Sequence, residues 1–373
     1  MNILIFSWRG PGHPNEGGAE QSTHEHAKAW VDAGHEVTLF TSYYEGAKKE
    51  ETVDKVRIIR KGSQILGVQL AALFWYIFEN KTKYNVVIDQ FHGIPFFTPL
   101  FVKARIFGFI HEVAGEVWTF NPLPFPISLF PAIIGPKIEP IIFRFLYRNI
   151  PFITVSESTK DDLISTGIRK ENITIIKNGV TPHGLKVFPK KEDRYTAMYL
   201  GAISQDKGTK DALRAFAEVN RRDKNWQYWI VGKGTPEILN DLKTLTKDLK
   251  LNKIVKFWGF VDDTKKFELL ARSHVLVNPS FKEGWGLVNI EANSVGTPVV
   301  GYKVHGTKDS VVIGKTGMLV DRGDYKKMAK SILDLVKDKR RYKNIQISSK
   351  KWAQSFSWEK STNKSLLLIE KYS

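Results

Sequence analysis

Residues 283–301 read EGWGLVNIEANSVGTPVVG, and this stretch decides how the rest of the chain is interpreted. Glu283 and Glu291 stand eight positions apart, on either side of a glycine turn and an apolar run that should open a helix. Pro298 ends that helix, and Val299 begins a buried strand. The pattern predicts a turn that feeds a helix, followed by a strand of an α/β sheet.

A glycine turn before a helix offers unbonded backbone N–H groups and the positive end of the helix dipole, which favours a phosphate. Glu283 lies in the turn, where its carboxylate reaches a polar group at a reacting centre. Glu291 lies about one turn into the helix, where it accepts hydrogen bonds from paired hydroxyls such as those of a ribose. One Glu pair at this spacing is expected by chance, at about average glutamate usage. The argument therefore depends on the whole stretch.

That stretch resembles the E-x7-E signature of retaining glycosyltransferases with the GT-B fold, in the GT4-like group. The resemblance implies an α/β protein with two Rossmann-like domains, a donor cleft between them and a C-terminal helix that crosses back to the first domain. It implies that Glu291 binds the donor ribose and that Glu283 lies at the transferred sugar. It also implies that the donor diphosphate is bound by the amides of the turn, at Gly286, Leu287, Val288 and Asn289.

Length and composition set the limits of the interpretation. A chain of 373 residues exceeds what one hydrophobic core usually supports, so two domains are expected. No cysteine is present, which excludes disulfides, thiolate metal sites and cysteine nucleophiles. The first residues, MNILIFSWRG, lack a basic leader and read directly as a strand. We therefore expect a cytoplasmic protein, with a peripheral position on the cytoplasmic face of the membrane as the more specific expectation.

The net charge of +17 is uneven along the chain. Residues 1–150 hold 15 Lys/Arg against 14 Asp/Glu, and residues 151–373 hold 41 against 25. An anionic membrane surface, a phosphorylated substrate or nucleic acid would each suit a basic half, and so would a lysine-rich solvated surface. Nucleic acid is the least favoured of these partners, because no recognised binding motif accompanies the charge.

The first residues follow strand–helix–strand grammar. A strand over Ile3–Phe6, a glycine-rich loop and a helix over Ala19–Ala33 are followed by a strand over Val37–Thr41. The glycine spacing is not G-x-G-x-x-G and the second strand ends without an acid, which disfavours a nicotinamide-dependent oxidoreductase. The Gly17-Gly18 turn resembles the turn after the first strand of GT4 enzymes, which implies a place against the donor diphosphate.

Later elements repeat this grammar in two halves. Helices are predicted over Ile65–Phe78, over Ile138–Arg148, after Ser156, and over Trp358–Tyr372. Strands are predicted over Val56–Arg60, Val86–Asp89, Ile106–Ile110, Phe152–Val155, Thr196–Leu200, Tyr228–Val231, Ile254–Phe257, Val275–Asn278, Val299–Val300 and Met318–Val320. The predicted organisation is an acceptor-side domain over 1–180, a linker over 181–194, a nucleotide-sugar-binding domain over 195–355, and a returning helix over 356–373.

Residues 117–136 carry no charge and are interrupted by five prolines. A membrane-spanning helix must bond its backbone internally, so this segment cannot span a bilayer and is interpreted as an apolar loop or broken helix. Packing between domains, an ordinary buried connection and contact with a membrane or lipid acceptor all remain open. In the membrane interpretation, apolar area comes from Trp118, Phe120, Phe125 and Phe130, and cations come from Arg144 and Arg148.

Two further loops resemble donor-binding loops of the GT4 group. Residues 201–208 read GAISQDKG, and the resemblance implies that Lys207 neutralises the leaving diphosphate. The family usually has an Arg just after the first glycine, where this chain has Ala202, so one of two expected cations is absent. Residues 259–266 read GFVDDTKK, which implies base recognition near Val261, Asp262 and Asp263 and a phosphate contact from Lys266. Either aspartate is also a candidate helix N-cap.

His111 ends the predicted strand Ile106–Ile110 and resembles the GT4 histidine that contacts the transferred sugar; the local alternative is a hydrogen-bonded surface histidine. No two aspartates are separated by one residue, so the D-x-D metal motif is absent, and neither a metal nor a cofactor is expected. The predicted catalytic residues are Glu283, His111 and Lys207.

The predicted activity is retaining transfer of a sugar from a nucleotide-diphosphate sugar to a lipid-linked or other membrane-associated acceptor. The alternatives are a soluble enzyme that makes a polysaccharide or small glycoside, and a catalytically idle glycan-binding relative.

Overall fold

The computed structural model describes residues 1–64, 67–120, 126–182 and 187–372. The chain forms two compact units, one of residues 1–179 with 358–373 and one of residues 180–357. Of the predicted linker, residues 183–186 lie outside the described part, and the rest belongs to the second unit. The predicted donor cleft stays a prediction.

The first unit is built on an eight-stranded sheet in the order β3-β4-β2-β1-β5-β6-β7-β8. Its strands are β1 (Asn2–Ser7), β2 (Glu36–Thr41), β3 (Glu50–Val53), β4 (Val56–Arg60), β5 (Val86–Gln90), β6 (Arg105–Ile110), β7 (Phe152–Thr154) and β8 (Ile173–Ile175). Its helices up to residue 179 are α1 (Gly18–Asp32), α2 (Gly67–Phe74), α3 (Leu129–Ile142) and α4 (Glu157–Ser165). Every neighbouring pair is parallel except β3 with β4.

The burial of each strand determines whether it can be recognised in the sequence. Central strands of a parallel sheet are covered on both faces, and β1 and β5 accordingly read as continuous apolar runs that are buried. Strand β3 is missed because EETV carries no apolar alternation. It forms a hairpin with β4 because Asp54 and Lys55 both adopt the left-handed conformation that a tight hairpin turn requires.

The helices of the first unit differ from the predictions at their ends. Helix α2 is described from Gly67 and continues as a π-helical turn over Trp75–Glu79, while residues 65 and 66 lie outside the described part. The predicted start at Ile138 is wrong, because α3 already begins at Leu129 and contains Pro136 and Pro140. The prolines are tolerated because packing holds the helix: buried Glu139 accepts hydrogen bonds from the backbone of Ala114 and Gly115.

The second unit has a six-stranded, fully parallel sheet in the order β11-β10-β9-β12-β13-β14. Its strands are β9 (Tyr195–Leu200), β10 (Trp226–Val231), β11 (Val255–Gly259), β12 (Val275–Asn278), β13 (Val299–Tyr302) and β14 (Gly317–Val320). Its helices are α5 (Thr209–Arg222), α6 (Pro236–Asp248), α7 (Asp263–Arg272), α8 (Leu287–Ser294), α9 (Thr307–Ser310), α10 (Tyr325–Lys337) and α11 (Lys339–Ala353). In order along the sheet this is 3-2-1-4-5-6, the doubly wound dinucleotide-binding arrangement.

Alternate residues of β9 enter two different cores. Ala197 and Tyr199 pack with the helices on one face of the sheet, and Met198 packs with those on the other. The strand order reverses between β9 and β12, and ligands of doubly wound sheets bind outside the carboxyl ends of the strands at such a reversal. The last helix, α12 (Trp358–Lys371), belongs to the first unit, where it packs against α1.

Candidate functional site

The turn of the opening stretch begins α8 in the manner that the sequence predicts. Gly286 adopts the left-handed conformation, with φ 72° and ψ 58°, immediately before Leu287. A Cβ at this glycine would lie 2.5 Å from the side-chain nitrogen of Asn289, so no other residue fits without a shift. The first N–H groups of a helix have no intrahelical acceptor, and those of Leu287 and Val288 therefore suit an anion.

Asn289 lies beneath this turn. Its side chain is buried, accepts a hydrogen bond from Asn278 at 2.9 Å and donates one to the hydroxyl of Ser310 at 2.9 Å. The amide therefore connects the start of α8 to the end of β12 and to α9. The geometry gives the side chain of Asn289 a positioning role, while its predicted contact with the donor stays a prediction.

Lys207 and Glu283 meet at the reversal of the strand order. The Lys207 ammonium nitrogen lies 3.2 Å from Oε1 of Glu283 and 3.9 Å from Oδ2 of Asp206. Two backbone contacts hold the loops together: the N–H of Phe281 donates to the carbonyl of Asp206, and the absent Cβ of Gly208 leaves room for the carbonyl of Pro279. The loops after β9 and β12 are thus packed as one element.

Gly306 supports the backbone of Glu283 from the other side. Its φ is 73°, and a Cβ there would lie 2.2 Å from the Glu283 carbonyl oxygen. Only glycine allows this approach, so the position of Glu283 depends on residue 306. The sequence analysis missed this residue, because its glycine carries no motif.

Lys266 and Glu291 form the second ion pair. The Lys266 ammonium donates to Oε1 of Glu291 at 2.7 Å and lies 2.8 Å from a carboxylate oxygen of Asp263. Burial by itself would lower the pKa of Lys266, but the charges of Glu291 and Asp263 outweigh burial and raise it. Lys266 therefore stays protonated, and Glu291 is nearly buried beside it.

Asp262 is the N-cap of α7, since its side chain accepts from the N–H of Lys265 at 2.8 Å. The N-cap interpretation is therefore confirmed for Asp262. Val261 packs partly against the apolar core of the second unit. Asp263 is half exposed beyond the cap. Recognition of a base by these three residues stays a prediction.

Ala202 is exposed at the end of β9, and its carbonyl accepts a hydrogen bond from the Tyr199 hydroxyl at 2.5 Å. The predicted gap in the positive charge of this loop is thus a solvent-facing methyl group.

In the first unit, Gly17 and Gly18 are exposed at the start of α1. The N–H of Gly17 donates to Oε2 of the buried Glu20, and the other oxygen of Glu20 accepts from Arg9 at 3.0 Å. A carboxylate paired with an arginine therefore stabilises the beginning of α1. The predicted contact of Gly17 and Gly18 with the donor diphosphate stays a prediction.

His111 follows β6, with its ring stacked on Phe109 at 4.7 Å between centroids. Both ring nitrogens are buried and have no hydrogen-bond partner among the described residues, so the interpretation as a hydrogen-bonded surface histidine is wrong. Burial, with smaller effects from His26 and His92, lowers the pKa of His111 to about 3. The ring is neutral at pH 7, so one nitrogen can donate a hydrogen bond to a hydroxyl and the other can accept one. Contact of His111 with a sugar stays a prediction.

Helix α3 and the π-helical turn that continues it over Phe143–Tyr147 present an apolar surface to solvent, up to the C-cap Arg148. Residues at three- and four-residue spacing are exposed on one face, which we call the α3 face: Phe130, Ile133, Lys137, Ile138, Ile141, Arg144, Phe145 and Arg148. The acid of the helix, Glu139, is buried and accepts from the backbone of Ala114 and Gly115 and from the indole of Trp118. The face therefore combines apolar side chains with cations.

Trp118 and Phe125, two aromatics that are predicted to contact a membrane, are not part of the α3 face. Trp118 is held by Glu139 and packs on Gly135, so it serves the attachment of α3. Phe125 lies outside the described residues. No helix in the described ranges is both long and apolar enough to cross a bilayer.

Two units, each built on a mostly or fully parallel sheet with helices, define the protein as a doubly wound α/β protein. Two sequence families match successive parts of the chain: Glycosyltransferase Family 4 over residues 16–183, and Glycosyl transferases group 1 over residues 184–352. The chain belongs to the GT4-like group of GT-B glycosyltransferases.

Individual relatives agree with this assignment. The capsular polysaccharide biosynthesis glycosyltransferase CapM of Staphylococcus aureus is 30% identical over 201 residues, which is 50% of this chain and 52% of CapM. The chain thus spans about half the length of the curated relatives it matches.

Among solved structures, sucrose-phosphate synthase from Thermosynechococcus elongatus superimposes with a TM-score of 0.83 at 18% identity, over 100% of this chain and 98% of that one. HepE from Anabaena, solved in complex with UDP and glucose, gives a TM-score of 0.74 at 18% identity over 100% of both chains. These likenesses establish the GT-B fold with its two Rossmann-like domains.

Proposed function

We propose that the protein transfers a sugar, with retention of its anomeric configuration, from a nucleotide-diphosphate sugar to a hydroxyl of a lipid-linked or other membrane-associated acceptor. The observation that carries the proposal is the pair of lysine–glutamate contacts beyond the strand ends of one parallel sheet. Lys207 meets Glu283 between the loops after β9 and β12, and Lys266 on α7 meets Glu291 on α8. The relative HepE, which has been solved with UDP and glucose, supports a nucleotide-sugar donor.

The chemistry follows from where charge develops. The bond between the anomeric carbon and the diphosphate breaks with its electron pair on the phosphate oxygen, which leaves a sugar of oxocarbenium character. The acceptor oxygen then forms the new bond, and its proton passes to the departing phosphate. Lys207, Lys266 and the first amides of α8 stabilise the departing charge, because they are already oriented before the reaction.

The two glutamates have different tasks in this proposal. Glu291 is nearly buried and rigidly held by Lys266, so it accepts hydrogen bonds from the ribose hydroxyls. Glu283 is more exposed and orients the transferred sugar. A sugar contact of the neutral His111 ring stays a prediction. No metal is assigned: within the described residues, no three His, Asp or Glu side chains form a metal-binding cluster.

The α3 face supports a membrane-associated acceptor. A monomeric protein rarely exposes a contiguous apolar surface of this kind without a partner. Its cations, Lys137, Arg144 and Arg148, favour an anionic lipid surface at about 1 kcal/mol each. We therefore propose a peripheral position on the cytoplasmic face of a membrane.

A soluble enzyme that builds a polysaccharide is the second candidate, favoured by the similarity to CapM, whose name assigns it to capsular polysaccharide biosynthesis. A third candidate is a glycan-binding protein without catalytic activity. It is favoured only by Ala202, which stands where the family usually has a cation. Transfer measured in vitro separates both enzymes from the idle relative.

The first experiment is a thermal-shift screen with UDP-, GDP- and ADP-sugars, because a ligand at a hundred times its Kd adds about 2.7 kcal/mol to the free energy of unfolding. A sugar nucleotide that raises Tm is then tested for transfer to lipid extracts and to soluble glycans. No Tm shift with any of the three would contradict the proposed donor class.

A further inference from the structure

The charge balance of the donor site is unfavourable for a diphosphate. Lys207 faces Glu283 and Asp206, and Lys266 faces Glu291 and Asp263, so two ammonium groups are surrounded by four carboxylates. A diphosphate brings further negative charge to this place. Helix N-termini, Lys207 and Lys266 offset part of the repulsion, and a further cation that no carboxylate has already neutralised would strengthen binding.

Lys233 is such a cation at the same edge of the sheet. Its side chain is exposed, and no carboxylate lies within ion-pair distance of its ammonium group in the part of the chain that the structure describes. The ammonium lies 4.1 Å from the ring centroid of Phe260, which is itself 69% exposed. An exposed cation–π contact is worth only about 0.5–1 kcal/mol, so an anion can readily draw the lysine away.

The strand register brings Lys233 beside Ala202. Val231 pairs with Leu200 at the parallel ends of β10 and β9, so continuing the register by two residues sets residue 233 against residue 202. The backbone continues the ladder, since the N–H of Ile203 donates to the carbonyl of Lys233 at 2.6 Å. Neighbouring strands are about 4.8 Å apart, which is less than the length of a lysine side chain.

Two glycines make this approach possible. Gly201 and Gly232 have the same φ of 145°, and a Cβ on Gly232 would lie 1.8 Å from the carbonyl oxygen of Gly201. Because the two turns have matching φ and lie in contact, their next residues, Ala202 and Lys233, leave the sheet side by side. Lys233 and Ala202 are therefore neighbours along the backbone, while the Lys233 ammonium lies over Phe260 on the β11 side of β10.

We propose that Lys233 binds the diphosphate of the donor and supplies the positive charge that Ala202 does not. This assignment rests on the proposed function, since it presupposes a nucleoside-diphosphate ligand at the second unit. Lys233 leaves Phe260 when the ligand binds and contacts a phosphate oxygen, while Lys207 and Lys266 keep their glutamate partners. The cation that is missing from the loop after β9 is thus supplied by the loop after β10.

The test compares the binding of UDP, GDP and ADP by the protein with the binding of the nucleoside that matches the best-bound diphosphate, measured by calorimetry. Lys233→Met is expected to weaken the best-bound diphosphate about ten- to hundredfold, the usual effect of losing a hydrogen bond to a charged group. It leaves binding of the matching nucleoside unchanged, because the nucleoside has no phosphate. Ala202→Arg in the Lys233→Met background is expected to restore most of the affinity, since its guanidinium occupies the adjacent register position.

Lys243→Met is the matched control, an exposed lysine on α6 that belongs to no binding loop and whose loss changes nothing. Diphosphate affinity of Lys233→Met within twofold of wild type overturns the assignment, as does an equal loss for the matching nucleoside or a failure of Ala202→Arg to restore binding. A wild-type protein that binds none of the three diphosphates overturns the proposed function itself. The two failures are therefore distinguishable.

Discussion

The ammonium nitrogen of Lys266 lies 2.7 Å from Oε1 of Glu291, 25 residues further along the chain. The contact joins α7 to α8 in a nearly buried position, so Glu291 has a structural task besides its proposed contact with ribose. Removal of the carboxylate leaves Lys266 with Asp263 as a half-exposed partner. The loss of a buried partner costs stability, because the remaining charge is poorly solvated.

The first prediction follows from this contact. Glu291→Gln should weaken donor binding by about tenfold or more, because a charge-assisted hydrogen bond to ribose is lost, and should also lower Tm. The measurements are donor Kd by calorimetry and Tm by calorimetric scanning. Glu268→Gln, which removes an ion-pair partner of Lys265 and Arg272 on α7, is the control and should leave the Kd unchanged. Equal donor affinity in Glu291→Gln and wild type would argue against the ribose contact.

The second prediction concerns Lys207. Lys207→Met should lower kcat/KM by about a hundredfold or more, the scale of losing one preorganised group that stabilises developing charge. Initial rates over a range of donor concentrations give this value. Lys210→Met, three residues further on α5, removes an exposed pair with Asp241 and should change the rate less than twofold. A Lys207→Met enzyme with nearly wild-type kcat/KM would exclude Lys207 from the catalytic group.

The third prediction concerns Gly306, which supports the carbonyl of Glu283. Gly306→Ala should lower both Tm and activity for two reasons. The new methyl group clashes with the Glu283 carbonyl oxygen, and alanine rarely adopts the φ of 73° that residue 306 has. Gly314→Ala is the control: its φ is 77°, but a Cβ there meets nothing within 4 Å. Both variants place alanine at a positive φ, and only Gly306→Ala adds the clash with the Glu283 carbonyl oxygen. Equal activity in the two variants would show that Glu283 does not depend on residue 306.

The fourth prediction tests the α3 face. Phe130→Asp combined with Phe145→Asp should abolish sedimentation with anionic liposomes without lowering Tm, since both rings are more than two-thirds exposed. Leu367→Asp on α12, an equally exposed apolar residue outside the face, should sediment like wild type. Liposome binding retained by the double variant, or a marked fall in its Tm, would reject the membrane role of the α3 face.

The fifth prediction concerns acid stability. Burial lowers the pKa of His26 to about 4, and its ring contacts the Ser365 hydroxyl on α12. Between pH 6.5 and 4 the unfolded chain binds a proton at this residue that the folded protein does not bind. Stability from the neutral ring is therefore fully present above about pH 6.5 and falls by about 1.4 kcal/mol per pH unit below it.

The variant His26→Gln removes this titration. Its free energy of unfolding in urea should depend less steeply on pH between 6.5 and 4 than that of wild type. His24→Gln changes a histidine on the same helix whose ring meets Asp54 at the surface, and serves as the control. Parallel pH dependences for His26→Gln and wild type would refute the assignment.

Much of the fold was readable in the sequence because the informative signals are local. Buried parallel strands such as β1 and β5 are continuous apolar runs, and Gly286 before an apolar run marks the start of α8. Strand β3 has no apolar pattern of its own. It is stabilised by pairing with β4 in a hairpin, which the sequence of β3 does not reveal. Helix α3 begins before the predicted start, because proline is a strong local signal against helix that tertiary packing overrides here.

The class of fold, its two halves and the segments that carry Lys207, Lys266, Glu283 and Glu291 follow from local patterns in the sequence. Only the tertiary structure decided which of these side chains meet, because pairing depends on the order 3-2-1-4-5-6 of the strands, which no local pattern encodes. The same holds for Lys233, whose position beside Ala202 follows from the register of β10 on β9. It holds also for the α3 face, since burial of Glu139 and exposure of Phe145 depend on what packs against the helix.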